Sequence, residues 1–240
     1  MRHGTSEPCV SGASMQSSKF FSVLICTAAS AAVAQRDKPL ATAYVECVRD
    51  AKGRDIASRS VRTPTLKSVR GTVYAVVTAE HSQQSSCENN TAVYIAGRGR
   101  KLHLAFQQKP ERLPDGTVYD GNGVEAIRWS PSGDRIVVKV SQWTWGTDFG
   151  WNTKYIVLNP ATEAATEIPV LRDIAQQFPQ ECVRTVVSKG WRDNTHIAVE
   201  VGPAKEVDEE GLPGLIPSCV VKPTMYFFDV ESGRLRLKNK

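Results

Sequence analysis

The chain has 240 residues, of which 41% are hydrophobic and 23% charged, and a formal net charge of +5. Its basic residues are scattered among acids rather than gathered into one block with interleaved aromatics, which argues against nucleic acid as a partner. No Gly-x-Ser-x-Gly, phosphate loop or Cys-x-x-Cys occurs, so nothing in the sequence calls for a nucleophile elbow, a nucleotide, a metal or another cofactor.

Residues 1–14 are polar and carry Gly, Ser and Pro; they are assigned no fold, and Met15 is read as the true start. Met15 to Ala34 has the three parts of a secretory signal: Lys19, an apolar run from Phe20, and the small-x-small site Ala32-Val33-Ala34. That run is 15 residues long and is interrupted by Ser22, Thr27 and Ser30. A spanning helix needs about 20, so no stable membrane span is expected after cleavage. Cys26 follows Val23-Leu24-Ile25, but Ile25 stands where a lipobox needs a small residue. Cleavage before Gln35 leaves 206 residues, one domain's worth, with the charge at +4 once Arg2, Lys19 and Glu7 are gone. The expected location is the periplasm or the extracellular medium.

Residues 35–63 have no clear period and are read as an N-terminal arm, with Tyr44 to Val48 as a candidate first strand; 64–240 form the main domain. Four cysteines follow the signal, Cys47, Cys87, Cys182 and Cys219, and an even number in an exported chain argues for disulfides. An internal repeat selects the pairing. Glu46-Cys47-Val48-Arg49 recurs as Glu181-Cys182-Val183-Arg184, and Ser86-Cys87 and Ser218-Cys219 each place a cysteine seven residues before a tyrosine, Tyr94 or Tyr226. The expected bridges are Cys47 with Cys87 and Cys182 with Cys219.

Three units follow the same plan. In the first, Val73, Ala75 and Val77 alternate with other residues, His81 to Asn90 is a loop, and Thr91 to Ala96 is a strand containing Tyr. Gly97-Arg98-Gly99-Arg100 then turns into Leu102, Leu104 and Phe106. In the second, Trp129 to Val140 reads as a hairpin with one buried face, its turn being Ser-Pro-Ser-Gly-Asp. Gln142 to Asn152 is the loop, Lys154 to Leu158 the Tyr strand, and Ala165 to Ile168 the last strand. In the third, Trp191 to Asn194 leads into Ile197, Val199 and Val201, with a loop from Pro203 to Pro217. Met225 to Asp229 and Leu235 to Leu237 complete that unit. A single helix is expected at Val170 to Phe178, with Leu171, Ile174 and Phe178 on one face and Pro179 as its stop. The fold class is therefore all-β: three antiparallel four-stranded meanders in a propeller-like or open-stack arrangement, joined by one short helix. The loops between second and third strands should share a rim.

Trp129-Ser130-Pro131-Ser132-Gly133-Asp134-Arg135-Ile136, followed by a strand and then by Tyr155-Ile156-Val157-Leu158 and a polar turn, resembles a β-propeller blade of the Trp-Ser-Pro-Asp-Gly type found in periplasmic translocation proteins. The full match covers about 40 residues, and the other units share only its strand pattern. The chain also resembles small exported bacterial proteins. The resemblance implies blade-like sheets and a binding or scaffolding role, and three units fall short of the four to eight blades that close a ring.

The residues that could carry contacts lie in Gln142 to Trp151, which packs Trp143, Trp145, Asp148, Phe149 and Trp151 into ten positions. Aromatic planes beside a carboxylate suit a glycan or a peptide. The same tryptophans, alternating after Val140, suit the core. Glu206 to Glu210 is acidic but lacks a calcium-loop spacing, and His81, His103 and His196 sit in no triad. The expectation is a non-enzymatic binding module with an unknown protein or glycan partner. A carboxylate-dependent hydrolase of envelope polymers using Asp148 and Glu209, and a structural subunit of a homo-oligomeric ring, are the alternatives.

Overall fold

The computed structural model describes residues 42–45, 52, 59–80, 87–145, 152–179, 182–204 and 219–238, all within one compact unit spanning Asp37–Lys240. The protein is all-β, built from three four-stranded antiparallel meanders, a two-stranded hairpin and one helix among the described residues.

The first sheet comprises β1 (Arg59–Arg62), β2 (Leu66–Ser68), β3 (Gly71–Glu80), β4 (Glu88–Gly97) and β5 (His103–Gln108), with β1 and β2 both pairing with β3 as one interrupted strand. Pro64 lies at the interruption and has no N–H to give the ladder. Thr63 restores the pairing: its amide donates to the Ala75 carbonyl at 2.9 Å, and the Ala75 amide donates to its Oγ1 at 2.9 Å. The leading strand thus comes from Arg59–Ser68 and not from Tyr44-Val45. Every residue of β1 is exposed, so this part of the 35–63 arm has no apolar alternation to reveal it. Ala43 instead bridges Val124 of the second sheet, exchanging hydrogen bonds of 2.9 and 2.8 Å.

After the hairpin β6 (Glu111–Arg112) and β7 (Val118–Tyr119), the second sheet runs through β8 (Gly121–Trp129), β9 (Ile136–Trp143), β10 (Asn152–Asn159) and β11 (Ala164–Ile168). Helix α1 (Val170–Ala175) leads to the third sheet, β12 (Arg184–Trp191), β13 (His196–Pro203), β14 (Thr224–Asp229) and β15 (Arg234–Leu237). The helix buries Val170 and Ile174 against the second and third sheets, with Leu171 and Phe178 packed beside them.

The sheets stack face to face, and among the described residues they form an open series with no closed barrel. Val73, Ala75, Val93 and Ile95 of the first sheet pack on Val124, Ile127, Ile136, Val138, Val140, Ile156 and Leu158 of the second. The opposite face of the second sheet, through Val137, Tyr155 and Ile168, packs on Ile197, Val199, Val201, Tyr226 and Phe228 of the third. The hairpin over Trp129 to Val140 therefore buries both faces, where alternation predicted one. Val137 is 4% exposed although it alternates with the inward Ile136 and Val138. A middle layer reads as a continuous apolar run because neither side meets water.

Both junctions between sheets repeat the same device. The Trp129 indole N–H donates to the Leu66 carbonyl at 3.4 Å, and the Trp191 indole N–H donates to the Arg128 carbonyl at 3.1 Å, with the partners 63 positions apart in each case. The Ser-Pro-Ser-Gly-Asp turn is tied to both neighbours: Ser68 Oγ donates to the Gly133 carbonyl at 3.2 Å, and the Ser132 amide donates to Asn194 Oδ1 at 2.7 Å. Within the turn Gly133 has φ +71°, which a side chain rarely adopts. Asp134 accepts the Ser132 and Ser130 hydroxyls, and these hold its carboxyl below the ordinary range despite partial burial. The first-to-second turns of all three sheets thus lie together. The second-to-third connections leave from the opposite strand ends, as the shared rim requires.

Cys182 and Cys219 form a disulfide. Cys87 is also disulfide-bonded and 5% exposed; Cys47, its expected partner, lies outside the described residues. The signal region 1–34 lies outside them too, and among the described residues no helix is long and apolar enough to cross a membrane.

Candidate functional site

Trp143 ends β9 opposite Gly121 of β8 and is 8% exposed. Gly is required there: a Cβ on Gly121 would overlap the Nε1 edge of the indole. Trp145 stands edge-on to Trp143, with ring centroids 5.4 Å apart, and covers a cluster of Ala43, Val45, Val77, Ala79 and Cys87. Its amide donates to Asp120 Oδ1 at 2.8 Å, and Thr144 Oγ1 donates to the Val118 carbonyl at 2.6 Å. These two tryptophans close the rim end of the core between the first and second sheets. Asp148, Phe149 and Trp151 lie outside the described residues, as do His81 and the acidic stretch 206–210 with Glu209.

Beneath the tryptophans lies a buried polar ladder. Thr91 Oγ1 donates to Asn122 Oδ1 at 2.7 Å, Asn122 Nδ2 donates to the Asn89 carbonyl, and Asn89 Nδ2 donates to the Val45 carbonyl at 3.2 Å. Inside a sheet stack an unpaired polar group costs about 1–3 kcal/mol, and of these three side chains Asn89 alone keeps an atom, Oδ1, without a partner. The ladder therefore fixes how the two sheets register at this end.

On the far side of the first sheet, the same end carries an open trough of about 650 Å³. Its floor is the outward row of β3 and β4. Tyr74 faces Tyr94, Val76 faces Ala92, Thr78 faces Asn90 and Glu80 faces Glu88. The two tyrosines stack with centroids 5.3 Å apart, and the Arg62 guanidinium lies 3.7 Å from the Tyr74 ring centre. Ala92, between Val76 and Gln107, leaves the floor low. Lys109, Glu111, Arg112 and Val118 raise a wall along one side.

Beside the Thr144–Val118 bond, one carboxylate anchors that wall to the second sheet. Glu111 Oε2 accepts the Gln142 amide at 3.0 Å and the Lys154 ammonium at 2.7 Å, while Asn152 Nδ2 donates to Gln142 Oε1 at 3.0 Å. The Gln142 amide, then Lys154, hold the Glu111 carboxyl below its ordinary range against partial burial. The wall thus links the trough to the base of the Trp-rich connection.

The histidines are placed differently. His196 Nδ1 lies 2.9 Å from Asp193 Oδ1, which also accepts the amides of Thr195 at 2.9 Å and His196 at 2.8 Å. Partial burial works against ionisation of Asp193, but these donors prevail and hold its pKa at about 2. This is a locked turn between β12 and β13. Among the described residues no group of three or more His, Cys, Asp or Glu is placed to hold a metal ion.

Alternation alone did not reveal the trough, because Tyr74 and Tyr94 lie 20 residues apart and meet only through the β3–β4 register. The legible signal was the outward set at every second position of each strand. No protein-family model, curated protein or solved structure matches the chain.

Proposed function

We propose that the protein is an exported, non-enzymatic binding module of the periplasm or cell surface, contacting an extended protein or glycan segment through its rim. The observation that carries this reading is the trough on the first sheet. It is lined by Tyr94, which stacks on the neighbouring Tyr74, and by amide and carboxylate groups at Asn90, Gln107, Glu80 and Glu88. Aromatic planes supply contact area with little rotamer entropy, and polar neighbours supply direction. The disulfide fits an oxidising compartment, and the secretory pattern of residues 15–34 supports export. The blade-like sequence pattern agrees with a scaffold that presents loops.

Glycan and peptide arrays probed with the parent and with Tyr94→Ala test the reading. A ligand class retained by the parent and lost by the variant, at unchanged melting temperature, is expected. Equal retention by both, or none by the parent, refutes it. A hydrolase is the second reading, favoured by the directly opposed Glu80 and Glu88 in the trough. Under that reading, Glu88→Gln abolishes turnover of the retained polymer while binding survives.

A further inference from the structure

We propose that the cleft between the second and third sheets is a binding site for an aliphatic carboxylate. The cleft is separate from the trough, and nothing in its argument depends on the rim. One wall is the face of the second sheet bearing Lys139, Thr153 and Tyr155; the other is the edge strand β12 with Arg184, Val186 and Ser188. Its wider part measures about 540 Å³ and its narrower part about 190 Å³, and both touch Lys139, Tyr155 and Val186. The opening exists because the third sheet packs on the second mainly through Ile197, Val199, Val201 and Phe228, which are fully buried, whereas Arg184, Val186 and Ser188 are only half-buried. The β-bulge between Ser188 and Gly190, with Gly190 at φ +84°, interrupts the β12 ladder beside the narrower part.

Two donors in this cleft lack acceptors. Tyr155 is 1% exposed, and its hydroxyl has the Ser188 side chain near it but outside ordinary hydrogen-bond geometry. Burial pushes that hydroxyl up to about 12, with Ser188 offsetting part of the rise and the Glu125 carboxylate adding a little to it, so the phenol stays a donor throughout the physiological range. Arg184 Nε is buried without a partner, although Nη1 donates to the Cys182 carbonyl at 2.8 Å. Lys139 adds a third donor on the same wall, with Glu125 as its ion-pair partner in the narrower part. No carboxylate lines the wider part among the described residues, while Leu171, Ala175 and Val186 supply apolar surface. Arg184, the Glu125-paired Lys139, the buried phenol and a hydrocarbon lining match a ligand with an anionic, acceptor-only head and an apolar body. A carboxylate has about four lone-pair sites and no donor, which is the complement of this set.

Calorimetric titration of the full chain with octanoate and with octanol tests the proposal. Octanoate is expected to bind saturably at one site, and octanol roughly ten-fold or more weakly, because it lacks the charge-assisted bonds. Tyr155→Phe should weaken octanoate by roughly three- to ten-fold while the melting temperature holds or rises, since the variant removes an unpaired buried hydroxyl. Lys139→Met should weaken it by roughly ten-fold or more. A phenol with a purely structural role would leave octanoate affinity unchanged in Tyr155→Phe. Absence of saturable octanoate binding, equal affinity for octanol, or variants that bind like the parent would each overturn the proposal. Should Lys139→Met fail to fold, the octanoate-to-octanol ratio and Tyr155→Phe decide it.

Discussion

The contact between Gly121 and Trp143 allows a quantitative test of how the rim end of the core is built. Trp143 is 8% exposed, so Trp143→Ala removes nearly a whole buried indole and should cost about 3–5 kcal/mol. Gly121→Ala places a methyl group where the Nε1 edge of that indole lies. Overpacking of this kind costs about 1–3 kcal/mol, and about 2 kcal/mol in a chain of this size lowers the melting temperature by roughly 4–8 °C. In a Trp143→Ala background the methyl group has room, and the Gly→Ala change should be neutral or gain about 0.4–1 kcal/mol by restricting the unfolded chain. The two substitutions should therefore couple by about 2–3 kcal/mol. Urea unfolding followed by far-UV circular dichroism on the parent, both single variants and the double variant closes the cycle. If Gly121→Ala costs as much without the indole as with it, the packing argument is wrong.

Four further outcomes are expected. Cys182→Ser with Cys219→Ser opens a loop with a sequence separation of 37 and should cost about 4 kcal/mol in the chain-entropy model, read as a lower urea midpoint. The Tyr155 phenol, raised from 10.0 to about 12, stays protonated in the fold where the unfolded chain ionises, so stability is unaffected below pH 10 and falls as pH climbs from 10 to 12. The parent should thus lose about 2–3 kcal/mol across that interval relative to Tyr155→Phe; parallel pH profiles would contradict the burial of the hydroxyl. Trp191→Phe should cost about 1 kcal/mol by removing the indole's bond to the Arg128 carbonyl, and Trp129→Phe less, since its bond is 3.4 Å against 3.1 Å. Glu111→Ala should cost about 1 kcal/mol and loosen the trough wall, seen as faster amide exchange in residues 111–119.

The strand order was legible because each meander writes a period-two pattern between turns. The turns carry their own chemistry: Ser-Pro-Ser-Gly-Asp, Asn159-Pro160 and Glu231-Ser232-Gly233 all fall where strands reverse. Helix α1 was legible from Leu171, Ile174 and Phe178 at helical spacing ahead of Pro179. The Cys182–Cys219 bridge followed from the repeat. Strand β1 was not legible, because an edge strand exposed on both sides has no preferred face.

The repeat left open which face its tyrosines take. Tyr94, Tyr155 and Tyr226 occupy the third strand of their sheets, yet Tyr94 lines the open trough while Tyr155 and Tyr226 are buried between the second and third sheets. A shift of one residue along a strand turns a side chain to the other face, and the number of neighbouring layers then sets its burial.

The sequence by itself determined the three meanders, their turns, the connecting helix and one disulfide, since these depend on local alternation and on short-range spacing. Only the tertiary structure decided that the second sheet is the middle layer, that Trp143 and Trp145 pack inward, and that Tyr74 meets Tyr94 along a trough. It alone left the Tyr155 hydroxyl unpaired in a cleft. Each of these depends on which face meets which sheet, a long-range property that side-chain alternation leaves open.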